Sequence, residues 1–376
     1  MVGDAAVRVV MVCGKGGVGK STLAAAMALR ASQAGIRTHL LSADPAHSLS
    51  ILLQNPHQAM SWQVNPCLQV QELAGYRAFR EDFPETIAWA QGILSQEGTS
   101  HAFGAELSLL PGVEELWMLR QLQRRIESAD AQLVIVDQAP TAFALRILSL
   151  PVFGAWYAKH ASRAQDRLTS QLMVLMPMLL AQGAQLPGAV LAELRLAIEA
   201  MKRLPEWLIN PAVTTTTLVT TPDPLAEAEA RLLFSTLSLY GITCERLVLN
   251  QVSEATEAQA WQARFAPLAF HTLARMTQTP WEKAALTALG EQIPLAWFEA
   301  YQGDGAFSVR AEGACFTVSQ QMPFVKPQEV ELAKMGNELY ITWGEHRRTV
   351  LLPDEAASLQ TKRAKFSEGR LTVSLA

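Results

Sequence analysis

The sequence predicts an α/β fold with a mostly parallel sheet, followed by a small all-β module. Two observations carry the first part: continuous β-branched apolar runs recur through residues 1–300, and helical stretches alternate with them. A third carries the module. Beyond Pro323 the chain changes to short alternating strands, with Gly336-Asn337 and Glu368-Gly369 as turns. At 376 residues, burying a core is no obstacle.

The run from Val7 to Val12 reads as a buried strand that stops at a glycine-rich loop. A helix follows from Ser21 toward Ala34, with Gly35 as its stop. Further strands are expected at 37–41, 133–136, 218–220, 246–249 and 269–273. Two helical insertions, 76–126 and 153–208, interrupt the alternation. In the second, Leu191, Leu194, Ile198, Met201 and Leu204 share one helix face. That stripe either packs on its own domain or offers an apolar surface to a partner. Residues 168–192 carry no charge over a length that crosses a bilayer, but Pro177, Gln182, Gly183, Gln185 and Pro187 argue against a single spanning helix. The division expected is therefore an α/β domain over 1–300, a Gly-rich linker over 301–322 and a β-module over 323–376. The module is too short for a seven-stranded sandwich.

A net charge of −4, with basic residues scattered along the chain, gives no electrostatic footprint for nucleic acid. Cys13, Cys67, Cys244 and Cys315 lie far apart and form no Cys-x-x-Cys pair, which fits a reducing compartment. With a strand pattern starting at Val7 and no leader ahead of it, the expected location is cytoplasmic.

The segment Gly14-Lys15-Gly16-Gly17-Val18-Gly19-Lys20-Ser21-Thr22 follows a buried strand and opens a helix, the context a phosphate-binding loop requires. Its glycines let backbone N–H groups approach phosphate oxygens without a Cβ in the way. Lys20 is expected at the β and γ phosphates of ATP, and Ser21 at Mg2+. Lys15 is a second lysine in the same loop. Two ammonium groups about 4 Å apart repel by about 4 kcal/mol at an effective dielectric of 20, so they converge only around a polyanion. Lys15 is thus either a solvated loop residue or is donated to ATP across a two-fold interface, which would couple nucleotide binding to closure of a homodimer.

This doubled-lysine loop resembles the deviant-Walker P-loop ATPases of the SIMIBI class. Asp44-Pro45-Ala46-His47-Ser48 resembles the first switch of the branch that holds the arsenite-pump ATPase and the tail-anchored-protein targeting factors. The resemblance implies that Asp44 orients the attacking water beside Mg2+, with Lys15 and Lys20 as its catalytic companions. Leu133 to Asp137 resembles a Walker B strand, with Asp137 in the outer shell of Mg2+. It continues into a second switch that keeps Pro140 and Thr141. This switch departs from the branch's Asp-Thr-Ala-Pro-Thr-Gly-His at Gln138, Ala142 and Phe143, which implies altered γ-phosphate sensing and slow hydrolysis. Asn250 is implied to recognise adenine, against its plain reading as a strand-ending turn residue.

The insertions sit where the targeting factors place client-binding helices, which implies a groove of Leu172, Met173, Met176, Leu191, Leu194, Ile198 and Met201. The partners implied are a second copy, hydrophobic or tail-anchored membrane-protein clients and a membrane receptor. A plant homologue would work in the plastid stroma. Zinc is not expected, because residues 253–262 lack the branch's Cys-x-x-Cys. Ala364, Phe366, Gly369 and Leu371 resemble the signature of a truncated α-crystallin domain, the other reading being a generic β-module. The family alternatives are an arsenite-pump subunit, opposed by the dispersed thiols, and a Min- or Par-like positioning ATPase, which would need a membrane helix or a basic DNA surface.

Overall fold

The computed structural model describes residues 7–42, 44, 48–55, 60–72, 83–95, 113–128, 130–138, 187–253, 256–276, 283–313 and 315–376. The β-branched runs become the centre of a sheet because both faces are covered. Strand β1 (Arg8–Gly14) is buried along its whole length, as are β2 (Thr38–Ser42), β5 (Leu133–Asp137) and β6 (Thr214–Thr220). Strands β3 (Ser61–Asn65), β4 (Leu68–Glu72), β7 (Cys244–Val252) and β8 (Ala269–Ala274) complete an eight-stranded sheet of order β3-β4-β2-β5-β1-β6-β7-β8. Every pairing is parallel except β3 with β4. The β3–β4 pair was not anticipated. Its alternating half-buried pattern belongs to a sheet edge and lacks the continuous apolar run of the centre.

Helix α1 (Lys20–Gln33) covers one face with Leu23, Met27 and Leu29. The α2 turn (Ser48–Leu52) and α8 (Lys283–Glu291) lie on the same side. The other face is covered by α6 (Pro224–Leu239), through Leu233, Phe234 and Leu237, together with α7 (Thr256–Arg264). Helices α3 (Pro84–Ser95), α4 (Val113–Ser128) and α5 (Gly188–Ile209) are the described parts of the two insertions. Among the described residues, no helix is long and apolar enough to cross a membrane. Most of the uncharged stretch, 168–186, lies outside them.

The linker and the truncated module need correction. Residues assigned to the linker form β9 (Phe307–Glu312) and β10 (Cys315–Gln321). Strand β10 pairs with β15 (Arg370–Leu375) in full register, giving a four-stranded sheet β14-β15-β10-β9 with β14 at Thr361–Ser367. It faces a three-stranded sheet of β11 (Val330–Met335), β12 (Glu338–Trp343) and β13 (His346–Leu351). Val318, Leu339, Ile341, Val350 and Val373 from both sheets share one core, so the module is a seven-stranded sandwich that starts at Phe307. The linker reading failed because Gly303, Gly305 and Gly313 flank these strands and gave the whole stretch a loop-like composition.

Candidate functional site

Three parallel strand ends define the site. Asp137, the last residue of β5, lies level with Val12 of β1 on one side and Ser42 of β2 on the other. The loop leaving β1 needs glycine for steric reasons. A Cβ on Gly14 would sit 2.2 Å from the Val219 carbonyl oxygen, and Gly17 and Gly19 hold φ of +82° and +96°. Lys20 opens α1 and is almost fully buried, with its Nζ donating to the Lys15 carbonyl at 3.1 Å. Gly16, Gly17, Gly19, Lys20, Ser21 and Thr22 line a cavity of about 390 Å3 whose far wall is Asp44, Ser48, Ile51 and Leu52. Loop and first switch therefore face each other across a space in the size range of small-molecule sites.

Asp137 is fully buried, and neither of its carboxylate oxygens accepts a well-formed hydrogen bond. Burial pushes its pKa up to about 7. The Ser21 hydroxyl and Lys20 ammonium pull it down, Asp44 pushes it up, and the Ser42 hydroxyl again opposes the rise. An orphaned buried carboxylate beside a loop serine suits a hydrated divalent cation, whose waters would donate to both oxygens. Ser21 would supply a hydroxyl oxygen to that ion and Asp137 would hold its water. Asp44 is half-buried, and its N–H donates to Ser42 Oγ at 3.2 Å. Pro45, Ala46, His47, Pro140 and Thr141 lie outside the described residues.

The other predicted residues take distinct places. Asn250 ends the buried part of β7 and seats its amide on the loop, Nδ2 donating to the Val18 carbonyl at 2.8 Å and Oδ1 accepting from the Gln251 N–H at 2.9 Å. Its Nδ2 occupies the space a Cβ on Gly19 would need, at 2.4 Å. Lys15 does not line the cavity. Its Nζ lies 3.9 Å from Asp223 Oδ1, the same oxygen that accepts the Ala226 N–H at 2.8 Å and so caps α6.

Sequence reasoning missed two residues here. Asp223 had a readable signal, Pro222-Asp223-Pro224, an aspartate at N-cap followed by proline at N1. Glu72 had none, since its strand went unrecognised. It is buried and pins the first-switch turn by accepting from Ser50 N–H at 2.9 Å and Ser50 Oγ at 2.6 Å.

The apolar stripe of α5 is only partly available. Val190, Leu204 and Leu208 are buried, and the latter two join the core beneath the sheet, which settles Leu204 as a packing residue. Leu191 is half-buried; Leu196, which is exposed, lies on the other side of the helix from the stripe. The side chains of Leu194, Ile198 and Met201, and all of Leu172, Met173 and Met176, lie outside the described residues. Glu193 joins the two insertions. Its carboxylate accepts from the Glu85 and Thr86 N–H groups, each at 2.9 Å, and from Thr86 Oγ at 2.7 Å, capping the start of α3.

Comparison with known proteins follows the same division. Residues 7–267 match the model of the anion-transporting ATPase family, and residues 314–375 match the HSP20-like domain found in its members. An Aquifex aeolicus protein, provisionally named as driving an arsenical pump, is 23 % identical over 97 % of this chain and 99 % of its own. A Chlorobaculum tepidum protein with a similar provisional name is 25 % identical over 96 % and 94 %. The ATPase ARSA2 of Chlamydomonas reinhardtii is 25 % identical over 65 % of this chain and 67 % of its own. The chain belongs to the anion-transporting ATPase family and carries that family's HSP20-like domain.

Proposed function

From that membership, we propose that this ATPase is a Mg2+-dependent, nucleotide-gated homodimer that handles hydrophobic membrane-protein segments, including tail-anchored ones. The observation that carries the reading is the place of Lys15. Its ammonium lies outside the cavity its own loop builds, in a part-exposed pair with Asp223, a position from which it could exchange that partner for phosphate charge supplied by a second copy. Within one protomer, Lys20 and the loop N–H groups bind the phosphates, and Asp44 orients a water at the γ-phosphate. Ser21 and Asp137 would hold Mg2+, which would supply charge neutralisation at the phosphates. Asn250 holds the loop through Val18, and adenine recognition by its amide is part of the proposal. When ATP leaves, the two loops repel and the pair opens.

The client surface is assigned to the second insertion. Glu193 ties α5 to α3, and the Met-rich stretch preceding α5 has the adaptable side chains that varied apolar helices require. An arsenite-driven role is the other reading that the names of the relatives suggest. It is disfavoured by the thiols: Cys13 and Cys244 are buried and their pKa values are raised by burial, away from the thiolate that binds a metalloid, and the more accessible Cys67 and Cys315 lie far apart in the chain.

The test is binding of a fluorescent apolar helical peptide to the full chain with Mg2+-ATP. Ile198→Asp is expected to weaken binding at least tenfold while phosphate release continues. Unchanged peptide affinity in that variant, or hydrolysis that responds to arsenite and not to peptide, would contradict the proposal.

A further inference from the structure

Four basic residues that are up to 60 positions apart in the sequence are brought onto one surface by the sandwich. Val318, Leu371, Val373 and Leu375 point into its core, so their neighbours along the strands point outward. The pairing registers then set the outward residues in rows across the four-stranded sheet. One row is Arg363, Ser374, Thr317 and Arg310; the next is Lys365, Thr372, Ser319 and Ser308. Arg370 lies over the same face, its guanidinium donating to Ser319 Oγ at 3.0 Å and to the Gly305 carbonyl at 3.3 Å. Arg310, Arg363 and Lys365 are exposed, and among the described residues none has an ion-pair partner.

This face thus presents Arg310, Arg363, Lys365 and Arg370 among serine and threonine hydroxyls, with Glu312 as the acid in its outward positions. In the chain as a whole, acids outnumber bases by 35 to 31. The opposite outer face, on the three-stranded sheet, has no such bias and carries Glu331, Met335, Tyr340, Arg347 and Leu351. Lysines on an edge strand alone would be an ordinary guard against edge pairing. Arg310, however, lies on the opposite edge strand, β9, roughly 14 Å across the sheet from Arg363, with Arg370 on the inner strand β15, so cations flank a hydroxyl-lined face from both sides and are not confined to one edge.

We propose that this face docks on the anionic headgroup layer of a lipid bilayer. A protein partner would want an apolar or aromatic centre from which water is excluded, and the rows above contain none. A headgroup layer asks only for cations and hydroxyl donors spread over a broad surface. The contact is electrostatic and reversible. It is independent of the apolar client surface, which lies on the ATPase domain.

Co-sedimentation of the full chain with vesicles tests this, comparing phosphatidylcholine alone with phosphatidylcholine containing phosphatidylglycerol. Binding is expected to the second and not to the first. With about fivefold expected per cation, Arg363→Gln with Lys365→Gln should lower it roughly 25-fold, and raising salt from 0.1 to 1 M should abolish it. Arg347→Gln on the opposite face is expected to leave it unchanged, and ATP hydrolysis by the double variant serves as the folding control. Three results would overturn the proposal: binding to both vesicles alike, binding indifferent to the double substitution, or loss of retention on immobilised polyglutamate in that variant while vesicles never bind.

Discussion

Helix α6 connects two buried charges that are treated in opposite ways. At its C-terminal end, Arg348 reaches from the sandwich into the ATPase domain. Its guanidinium donates to the Leu239 carbonyl at 3.0 Å and to Gln320 Oε1 at 2.9 Å, and it lies 3.8 Å above the Phe307 ring. Burial lowers its pKa to about 9, still high enough to keep it charged at neutral pH. At the phosphate-loop end of the sheet, Asp137 is as deeply buried, but neither of its oxygens accepts a well-formed hydrogen bond. At the junction the buried guanidinium finds two acceptors within the chain for Nη1, although its Nε has none. A site that waits for a ligand leaves the charge for the ligand to satisfy.

Substitutions can break or sharpen this contrast. The largest effect is expected from Asp44→Asn, which should lower phosphate release by roughly 10²- to 10⁴-fold while nucleotide binding is retained. Equal losses of binding and hydrolysis would move Asp44 from catalysis to binding. Next, Arg348→Ala should destabilise the full chain by about 3–5 kcal/mol in urea unfolding, because it strands two acceptors and opens a cavity. Asp137→Asn should do the reverse, leaving the nucleotide-free protein as stable or more so while hydrolysis falls roughly 10- to 100-fold. If both substitutions destabilise alike, the contrast is wrong.

The pH dependence of Asp137 provides a further check. Its carboxyl holds a proton in the folded state up to about 7, against 3.8 for the ordinary group. The folded state therefore binds more protons than the unfolded state between those values, and stability falls as pH rises through that window, then levels off. The wild type minus Asp137→Asn difference should fall by at most about 4 kcal/mol between pH 4 and 7, measured without nucleotide. The smallest effect concerns Lys15. Removing the Asp223 charge with Asp223→Asn, which still caps α6, should lower the ATP concentration needed for association by a fewfold, as suits a part-exposed pair. A raised requirement would mean that Asp223 serves the closed dimer instead.

Legibility in the sequence followed the kind of constraint each element carries. The central strands and the glycine turn after β1 were readable because burial on both faces, the close approach of Gly14 to Val219 and the positive φ of Gly17 and Gly19 each demand a narrow residue choice. The edge pair β3–β4 and the strands β9–β10 were not, since an edge tolerates polar residues and the flanking glycines mimic a linker. Glu72 and Glu193 act through contacts to Ser50 and Thr86, far away in sequence, which no local pattern encodes, and the local signal at Asp223 reads as a helix cap and not as a partner for Lys15. The cationic face was hidden for a related reason: Arg310 and Arg363 are neighbours only through the registers of β9, β10, β15 and β14.

The central claim is that Lys15 completes the nucleotide site of a second copy. Sedimentation velocity of the full chain and of Lys15→Ala, each with and without Mg2+-ATP, tests it most directly. The expected result is a doubling of mass with nucleotide in the wild type and a monomer throughout in the variant. A mass that ignores ATP, or a variant that associates as the wild type does, would contradict it.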